Sequence, residues 1–240
     1  TDKKDCNHLL DKSSWGDMVW HQEGDFYYYG VFGADMPDLN YNNPDVRQAA
    51  KDAAGHWLEL GLDGFRMDAA VHIYGTHEFK QQEDSEAANI TWWNEFAGYC
   101  ESINPDVYLV GEVWQDDKVL ENYVQPFDTK FDFAIQQKIL NCEQKGMAVP
   151  GFGDSLSVAI ENIQNKYDGV DANYLNGIFG ANHDQDRIAS SVNSLDKARQ
   201  IAVVYMTLPG NPYIYYGEEL GMYGSKPDEM IRTPFLWGSD

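Results

Sequence analysis

Gly64-Phe65-Arg66-Met67-Asp68-Ala69-Ala70 is the stretch on which the reading of this chain turns. It follows a helix-like segment that stops at Gly61, and it reads as a buried strand carrying two charges. Side chains two apart on a strand share a face, so Arg66 and Asp68 are expected to point the same way. A buried charge is costly unless it is paired or hydrogen-bonded, so a strand that carries both usually does so for a site. An internal ion pair that only stabilises the fold is the other reading.

The chain has 240 residues, 43% of them hydrophobic and 14% aromatic, enough for a substantial core in one large domain or two small ones. A net charge of −22 argues against nucleic-acid phosphate and anionic membranes as partners. Neutral ligands, metal cations or carbohydrate fit better, and the fifteen Tyr and seven Trp supply flat faces that can pack on sugar rings, although most belong to the core. Cys6, Cys100 and Cys142 lie far apart without a C-x-x-C spacing, which supports neither a disulfide framework nor a zinc site. Cys100 follows Trp93 and Phe96 at helical spacing and reads as a buried thiol. No apolar run reaches membrane-spanning length, and Thr1–Lys4 does not read as a signal peptide. Asn89-Ile90-Thr91 is a glycosylation sequon.

Residues 1–43 are polar, rich in Asp, Gly and Tyr, and without sustained periodicity; Tyr27–Phe32 reads as one strand of a small irregular subdomain. A helix then starts with Asn43 as N-cap, Pro44 in the first position and Asp45 complementing the dipole. Val46, Ala49, Ala50, Ala53, Trp57 and Leu60 are expected as its buried stripe, with Gly61 ending it. Residues 71–90 read as a long polar loop, followed by a helix through Trp92, Trp93, Phe96, Cys100 and Ile103 that Asn104-Pro105 stops. Further strands are expected at Val107–Val110, Phe131–Ile135, Gly177–Ala181 and Pro212–Tyr216, with helices near 116–124, 154–166 and 195–207. Strand and helix alternate, the mark of a parallel α/β sheet. Asp68, Glu112 and Asp184 each come just after a strand, and in such sheets the C-terminal strand ends gather on the face where chemistry sits.

Three carboxylates suit either a hard cation such as magnesium or calcium or a glycosidase. The latter needs one ionised carboxylate and one carboxylic acid, roughly 5–5.5 Å apart where configuration is retained. Arg66 beside Asp68 favours an ionised Asp68, whereas Glu112 has no basic neighbour in sequence and is expected to hold its proton.

Met36-Pro37-Asp38-Leu39-Asn40, Gly64–Ala69, Gly111-Glu112-Val113-Trp114 and Phe179-Gly180-Ala181-Asn182-His183-Asp184 together resemble, in order and approximate spacing, the motifs of the α-amylase family (glycoside hydrolase family thirteen). Gly210–Glu219 is similar to the family's eighth-strand segment. The resemblance implies an α/β fold, a (β/α)8 TIM barrel. Residues 1–43 then end the irregular subdomain inserted after strand three, and residues 44–240 carry strands four to eight. Strands one to three are expected from the rest of a parent chain, and five strands alone leave two open edges, so the isolated segment is expected to be poorly stable and inactive.

By the same resemblance Asp68 is the nucleophile, Glu112 the acid and then the base, and Asp184 the group that stabilises the oxocarbenium-like transition state. Arg66 and His183 contact the sugar, and His72 and Trp114 line its surroundings. Calcium is implied, held by the backbone carbonyl of His72 and the carboxylate of Asp38, although the family's upstream Asn partner is absent. The implied activity is retaining hydrolysis of internal α-1,4 bonds in starch-like glucans, in an extracellular or cell-surface setting. Arg232-Thr233-Pro234-Phe235-Leu236-Trp237 resembles the oligo-1,6-glucosidase and neopullulanase side of the family. A neopullulanase or cyclomaltodextrinase, a transglycosylase and a non-catalytic barrel relative are the alternatives.

Overall fold

The computed structural model describes residues 9–13, 15–75, 84–115, 117–145 and 152–238. Thr1–Lys4, Cys6 and the side chain of Cys142 lie outside the described residues. The chain forms two compact units, Thr1–Val113 and Trp114–Asp240. The division falls after Val113, and the described residues before 44 share a unit with residues 44–113.

The first unit opens with an antiparallel hairpin of β1 (Trp20–Glu23) and β2 (Phe26–Tyr29), the strand expected around Tyr27 having found a partner. Helix α1 (Pro44–Glu59) starts as its caps dictate: the Asn43 side chain accepts from the Asp45 N–H, and Gly61 leaves the helix at φ +93. Its expected stripe is wrong by about one position. Ala54, Gly55 and Leu58 are buried, while Trp57 and Leu60 stand 54% and 67% exposed. A helix with apolar residues on two sides buries the one its neighbour covers. Here that neighbour is α2 (Ser85–Ile103), whose Tyr99 lies close against Gly55 and whose Glu95 pairs with Lys51 at 2.7 Å and Arg47 at 3.4 Å.

Between them lies β3 (Gly64–Met67), which pairs in parallel with β4 (Tyr108–Gly111) in the register Gly64↔Tyr108 to Met67↔Gly111. Gly64 is required there, because a Cβ would sit 1.9 Å from the Tyr108 carbonyl oxygen. β3 is not the buried strand expected: Arg66 is exposed and its neighbours half-buried, whereas Leu109 and Val110 of β4 are core. Among the described residues β3 has a paired strand on one side only.

The expected loop over 71–90 is also corrected. Ala70–His72 is a short 3-10 turn, and α2 begins at Ser85, its N-cap Asp84 accepting from the Ala87 N–H. Polar residues gave this segment the composition of a loop, yet Ser85 and Asn89 are buried. Asn89 donates to the carbonyls of Val71 (2.8 Å) and Gly75 (3.0 Å) and accepts from the Tyr74 N–H (2.8 Å). At 1% exposure it leaves no room for a glycan in this fold, so the sequon does not fit the folded structure. Cys100 is the buried free thiol expected, and burial pushes it up to about 11.

The second unit runs through α3 (Asp117–Leu120), a 3-10 turn at Glu121–Tyr123, and the two-residue strand β5 (Thr129–Lys130) into α4 (Phe133–Lys145). A strand over Phe131–Ile135 was expected from the alternation of Phe131, Phe133 and Ile135. Only Phe131 bridges, in parallel, to Gly177. Asp132 then accepts from the Ile135 N–H at 2.8 Å and starts the helix, because a capping carboxylate satisfies the orphan amides of a first turn.

Helix α5 (Phe152–Asp168) leads to β6 (Gly177–Phe179), α6 (Ile188–Val192), α7 (Leu195–Thr207), β7 (Asn211–Tyr213) and α8 (Asp228–Ile231). β6 and β7 are parallel, with Gly177↔Asn211 in register. Ile201 and Tyr205 carry the buried face of α7, as the periodicity predicts. No helix among the described residues is long and apolar enough to cross a membrane.

A cavity of about 340 Å³, lined by Ile188, Leu195, Ala202, Tyr205 and Met222, also receives Glu218. Tyr205 donates to Glu218 Oε2 at 3.1 Å, and burial pushes the carboxyl up from 4.5 to about 7.

These buried polar groups give two expectations. Asn89→Ala strands one N–H and two carbonyls, and at about 1–3 kcal/mol per unsatisfied buried group denaturant titration should show roughly 3–5 kcal/mol of lost stability. For Glu218 the folded state keeps its proton longer than the unfolded one. Its contribution is therefore full below pH 4.5, falls as pH rises to about 7 and is flat above. The stability difference between wild type and Glu218→Gln, measured from pH 4 to 8, should change by about 3 kcal/mol across that window.

Candidate active site

The predicted site residues fall in both units. In the first, β3 delivers Arg66 and, one residue past its end, Asp68; β4 delivers Glu112 one residue past its own. Arg66 and Asp68 do share a face, with Arg66 Nη1 2.6 Å from Asp68 Oδ1. The other terminal nitrogen, Nη2, lies 2.7 Å from Glu112 Oε1. Glu112 therefore does have a basic neighbour, supplied by the adjacent strand, and the expected contrast of one paired and one unpaired carboxylate is not what the fold builds. Glu112 Oε2 accepts from the Ala69 N–H at 3.0 Å.

The backbone around the pair is equally tied. Glu112 N–H donates to the Met67 carbonyl (2.9 Å) and Ala70 N–H to the Glu112 carbonyl (3.1 Å). Ala69, at φ 44, takes a left-handed conformation that is strained for a residue with a Cβ. Trp93 Nε1 donates to the Ala70 carbonyl at 2.8 Å and pins the turn from α2. The two carboxylates differ in environment: the Asp68 side chain is 74% exposed and that of Glu112 only 11%.

His72 and Asp38 stand on loops of the same unit. The His72 ring meets Trp15 and Phe32 edge-on at 6.0 and 5.1 Å, and its burial lowers it to about 4, so it is neutral at ordinary pH. Asp38 Oδ2 accepts from the Val31 N–H at 2.8 Å, and burial raises its carboxyl above the usual range. Among the described residues no Lys or Arg pairs with it, and no three His, Cys, Asp or Glu side chains gather as a metal site.

In the second unit the chain leaves β6 through Gly180 and Ala181 into Asn182-His183-Asp184. Asn182 Oδ1 accepts from the Asp184 N–H at 2.9 Å, a local Asx turn. Buried Gln136 donates to the Gly180 carbonyl at 2.8 Å and fixes where this turn begins. His183 Nε2 lies 3.2 Å from Asp184 Oδ2. Trp114 is 54% exposed and stacks on Phe133 at 4.3 Å with 7° between the planes, so one face packs and much of the ring stays open.

Sequence reasoning missed Arg232 as a site residue. Its Nη2 lies 2.7 Å from Asp184 Oδ1 and 2.8 Å from Asp228 Oδ2, and its Nε donates to the His183 carbonyl at 2.9 Å. The Asp228 spacing of four on a short helix was a legible signal. The 48-residue reach to Asp184 was not.

Chemically, the first unit offers two carboxylates on one cation, one exposed and one nearly enclosed; the second offers a carboxylate fixed between an imidazole and a guanidinium. Comparison with known proteins agrees with this inventory. The family model described as alpha amylase, catalytic domain, matches residues 3–237. Alpha-amylase 3 of Dictyoglomus thermophilum is 42% identical over 225 residues, covering 92% of this chain and 42% of the relative. A 4-alpha-glucanotransferase of Thermotoga neapolitana is 34% identical over 239 residues, covering 97% of this chain and 49% of the relative. The crystal structure of an alpha-amylase from H. orenii superposes with a TM-score of 0.83 at 39% identity, covering 95% of this chain and 45% of that one. The chain thus spans less than half the length of these relatives, and the likeness shows part of a (β/α)8 barrel, as the motif order predicts. With a catalytic-domain match over nearly all of its residues and carboxylates at the strand ends where the motifs put them, the chain belongs to the α-amylase family.

Proposed function

We propose that this chain carries the catalytic residues of a retaining glycoside hydrolase acting on internal α-1,4-glucosidic bonds of starch-like glucans. The observation that carries the reading is the single Arg66 guanidinium holding both Asp68 and Glu112. Retention needs a nucleophile and an acid close together, roughly 5–5.5 Å apart, and two carboxylates paired with one guanidinium support that reading.

Asp68, the more exposed of the two, attacks the anomeric carbon while the bond to the leaving oxygen breaks. Glu112 gives its proton to that oxygen. Water then attacks the glycosyl-enzyme ester, Glu112 takes the water proton, and Asp68 departs as carboxylate. Asp184 is assigned the stabilisation of the oxocarbenium-like transition state, with Arg232 and His183 fixing its two oxygens. Arg66 and His183 are assigned sugar contacts, and Trp114 a stacking face for a sugar. Transfer to a sugar acceptor in place of water is the second reading, favoured by the likeness to a 4-alpha-glucanotransferase.

Calcium belongs to the same proposal. Asp38, half-buried with no cationic partner among the described residues, suits a hard cation, and the His72 backbone carbonyl is the second donor. When bound, the ion would tie their two loops together.

Asp68→Ala and Glu112→Ala should each lower kcat by about a thousandfold. With an activated aryl maltoside, azide should rescue them differently. The Glu112→Ala enzyme should give the α-glycosyl azide and the Asp68→Ala enzyme the β-azide; the same anomer from both would end the assignment. Product analysis on amylose, pullulan and cyclodextrin separates hydrolysis, debranching and transfer. For calcium, chelation should lower the melting temperature of wild type and leave that of Asp38→Ala unchanged.

A further inference from the structure

Tyr215 and Tyr216 follow β7 and lie outside the residues assigned a role in cleavage, yet their hydroxyls converge on one short piece of chain. Tyr215 donates to the Ile231 carbonyl at 3.1 Å, and Tyr216 donates to the Thr233 carbonyl at 2.7 Å. The residue between those two carbonyls is Arg232. Its Nη2 lies 2.7 Å from Asp184 Oδ1, and its Nε donates to the His183 carbonyl at 2.9 Å.

Arg232 needs such a grip. It follows directly on the four-residue helix α8, its side chain is 42% exposed, and that of Asp184 is 36% exposed. An ion pair so open to water is weak, and a long flexible side chain does not keep one geometry unless its backbone is held. Hydroxyls on both flanking carbonyls fix the chain on each side of Arg232, so the guanidinium starts from a set place.

The tyrosines are themselves mounted on a buried cation. Arg187 is 0% exposed, and its Nη1 donates to the Tyr216 carbonyl at 2.7 Å. Its guanidinium carbon lies 4.7 and 4.9 Å from the ring centres of Tyr215 and Tyr216. A buried charge is costly unless it is compensated; here a carbonyl and two ring faces compensate it. The backbone of Arg187 is tied as well, its N–H donating to the Gly224 carbonyl at 2.9 Å. Arg187 is also the third residue after Asp184. The path from Asp184 through Arg187, the tyrosine pair and Arg232 therefore returns to Asp184, and no link in it can shift without straining the others.

Resting on the glycosidase reading, we propose that Tyr215 and Tyr216, mounted on Arg187, are positioning residues that set Arg232 against Asp184. Their effect on the reaction passes through Arg232, which holds the carboxylate assigned to the transition state.

The test is a mutant cycle on the intact protein, read by amylose hydrolysis, with melting temperatures to separate loss of fold from loss of position. Tyr215→Phe combined with Tyr216→Phe removes both hydroxyls and keeps both rings on Arg187. The pair should lower kcat about tenfold, within the roughly hundredfold that a group misplaced by about 1 Å can cost. KM should stay within about twofold, since the lost effect belongs to the transition state. Arg232→Ala should cost at least as much, and the tyrosine pair added to it should cost nothing further. Arg187→Lys keeps the charge but not the flat group that spans two rings; it should repeat the kcat loss, again only while Arg232 is present. If that variant fails to fold, the tyrosine pair alone decides. Wild-type kcat in the pair or in Arg187→Lys, a loss carried by KM, or a loss that persists in the Arg232→Ala background overturns the positioning role while leaving the glycosidase reading intact. A wild type that cleaves no α-glucan overturns both.

Discussion

Two carboxylates placed close together repel, and the Arg66 guanidinium is what allows Asp68 and Glu112 to share one end of a parallel strand pair. The requirement reaches back into the backbone. Arg66 must face the same way as Asp68, which a strand's two-residue period provides. It must also stand beside the strand that ends in Glu112, which the Arg66↔Val110 register provides. A one-residue slip would turn Arg66 to the other face and leave both acids without their cation. The two halves of the contact are unequal in strength. An ion pair to the widely exposed Asp68 contributes about 0–1 kcal/mol, whereas the nearly enclosed Glu112 is much less screened by water. Arg66 is thus anchored chiefly to Glu112 and only loosely to Asp68.

Irregular turns come after these strands, and irregular backbone needs partners that a sheet no longer supplies. Buried polar side chains from the helices provide them. Asn89 and Trp93 of α2 bind the turn after Asp68; Gln136 of α4 binds the chain at Gly180, just before His183 and Asp184. Asp132 and Asn176, hydrogen-bonded to each other, brace the ends of the strand segments beneath. The helices thus do more than cover a sheet. They carry the amides and carboxylates that hold the loops after the strands in place, and that is why polar residues sit at their buried positions.

Much of the architecture was legible where the cause is local. Asn43 and Pro44 marked the start of α1, Gly61 its end, and the period of Ile201 and Tyr205 the buried face of α7. Local signals failed where two of them competed. The alternation Phe131-Phe133-Ile135 looked like a strand, but Asp132 between the first two residues is a helix cap. Ser85 and Asn89 looked like loop because they are polar, and the carbonyls that Asn89 binds lie up to 18 residues away. In α1 the apolar residues were read correctly as apolar and assigned to the wrong side, since α2 chooses which side is covered.

The sequence by itself determined the identity and order of the reactive groups: Arg66 and Asp68 on one strand, Glu112 and Asp184 after two others, and the alternation that makes a parallel α/β fold. Tertiary structure alone decided which groups meet. Arg66 reaches across to Glu112, Arg232 reaches back 48 residues to Asp184, and Trp15 finds Phe32 and His72. The physical reason is that periodicity fixes the direction of a side chain within its own element, over a few residues. Which charge or ring lies opposite depends on how elements distant in the chain pack, and a linear pattern does not carry that.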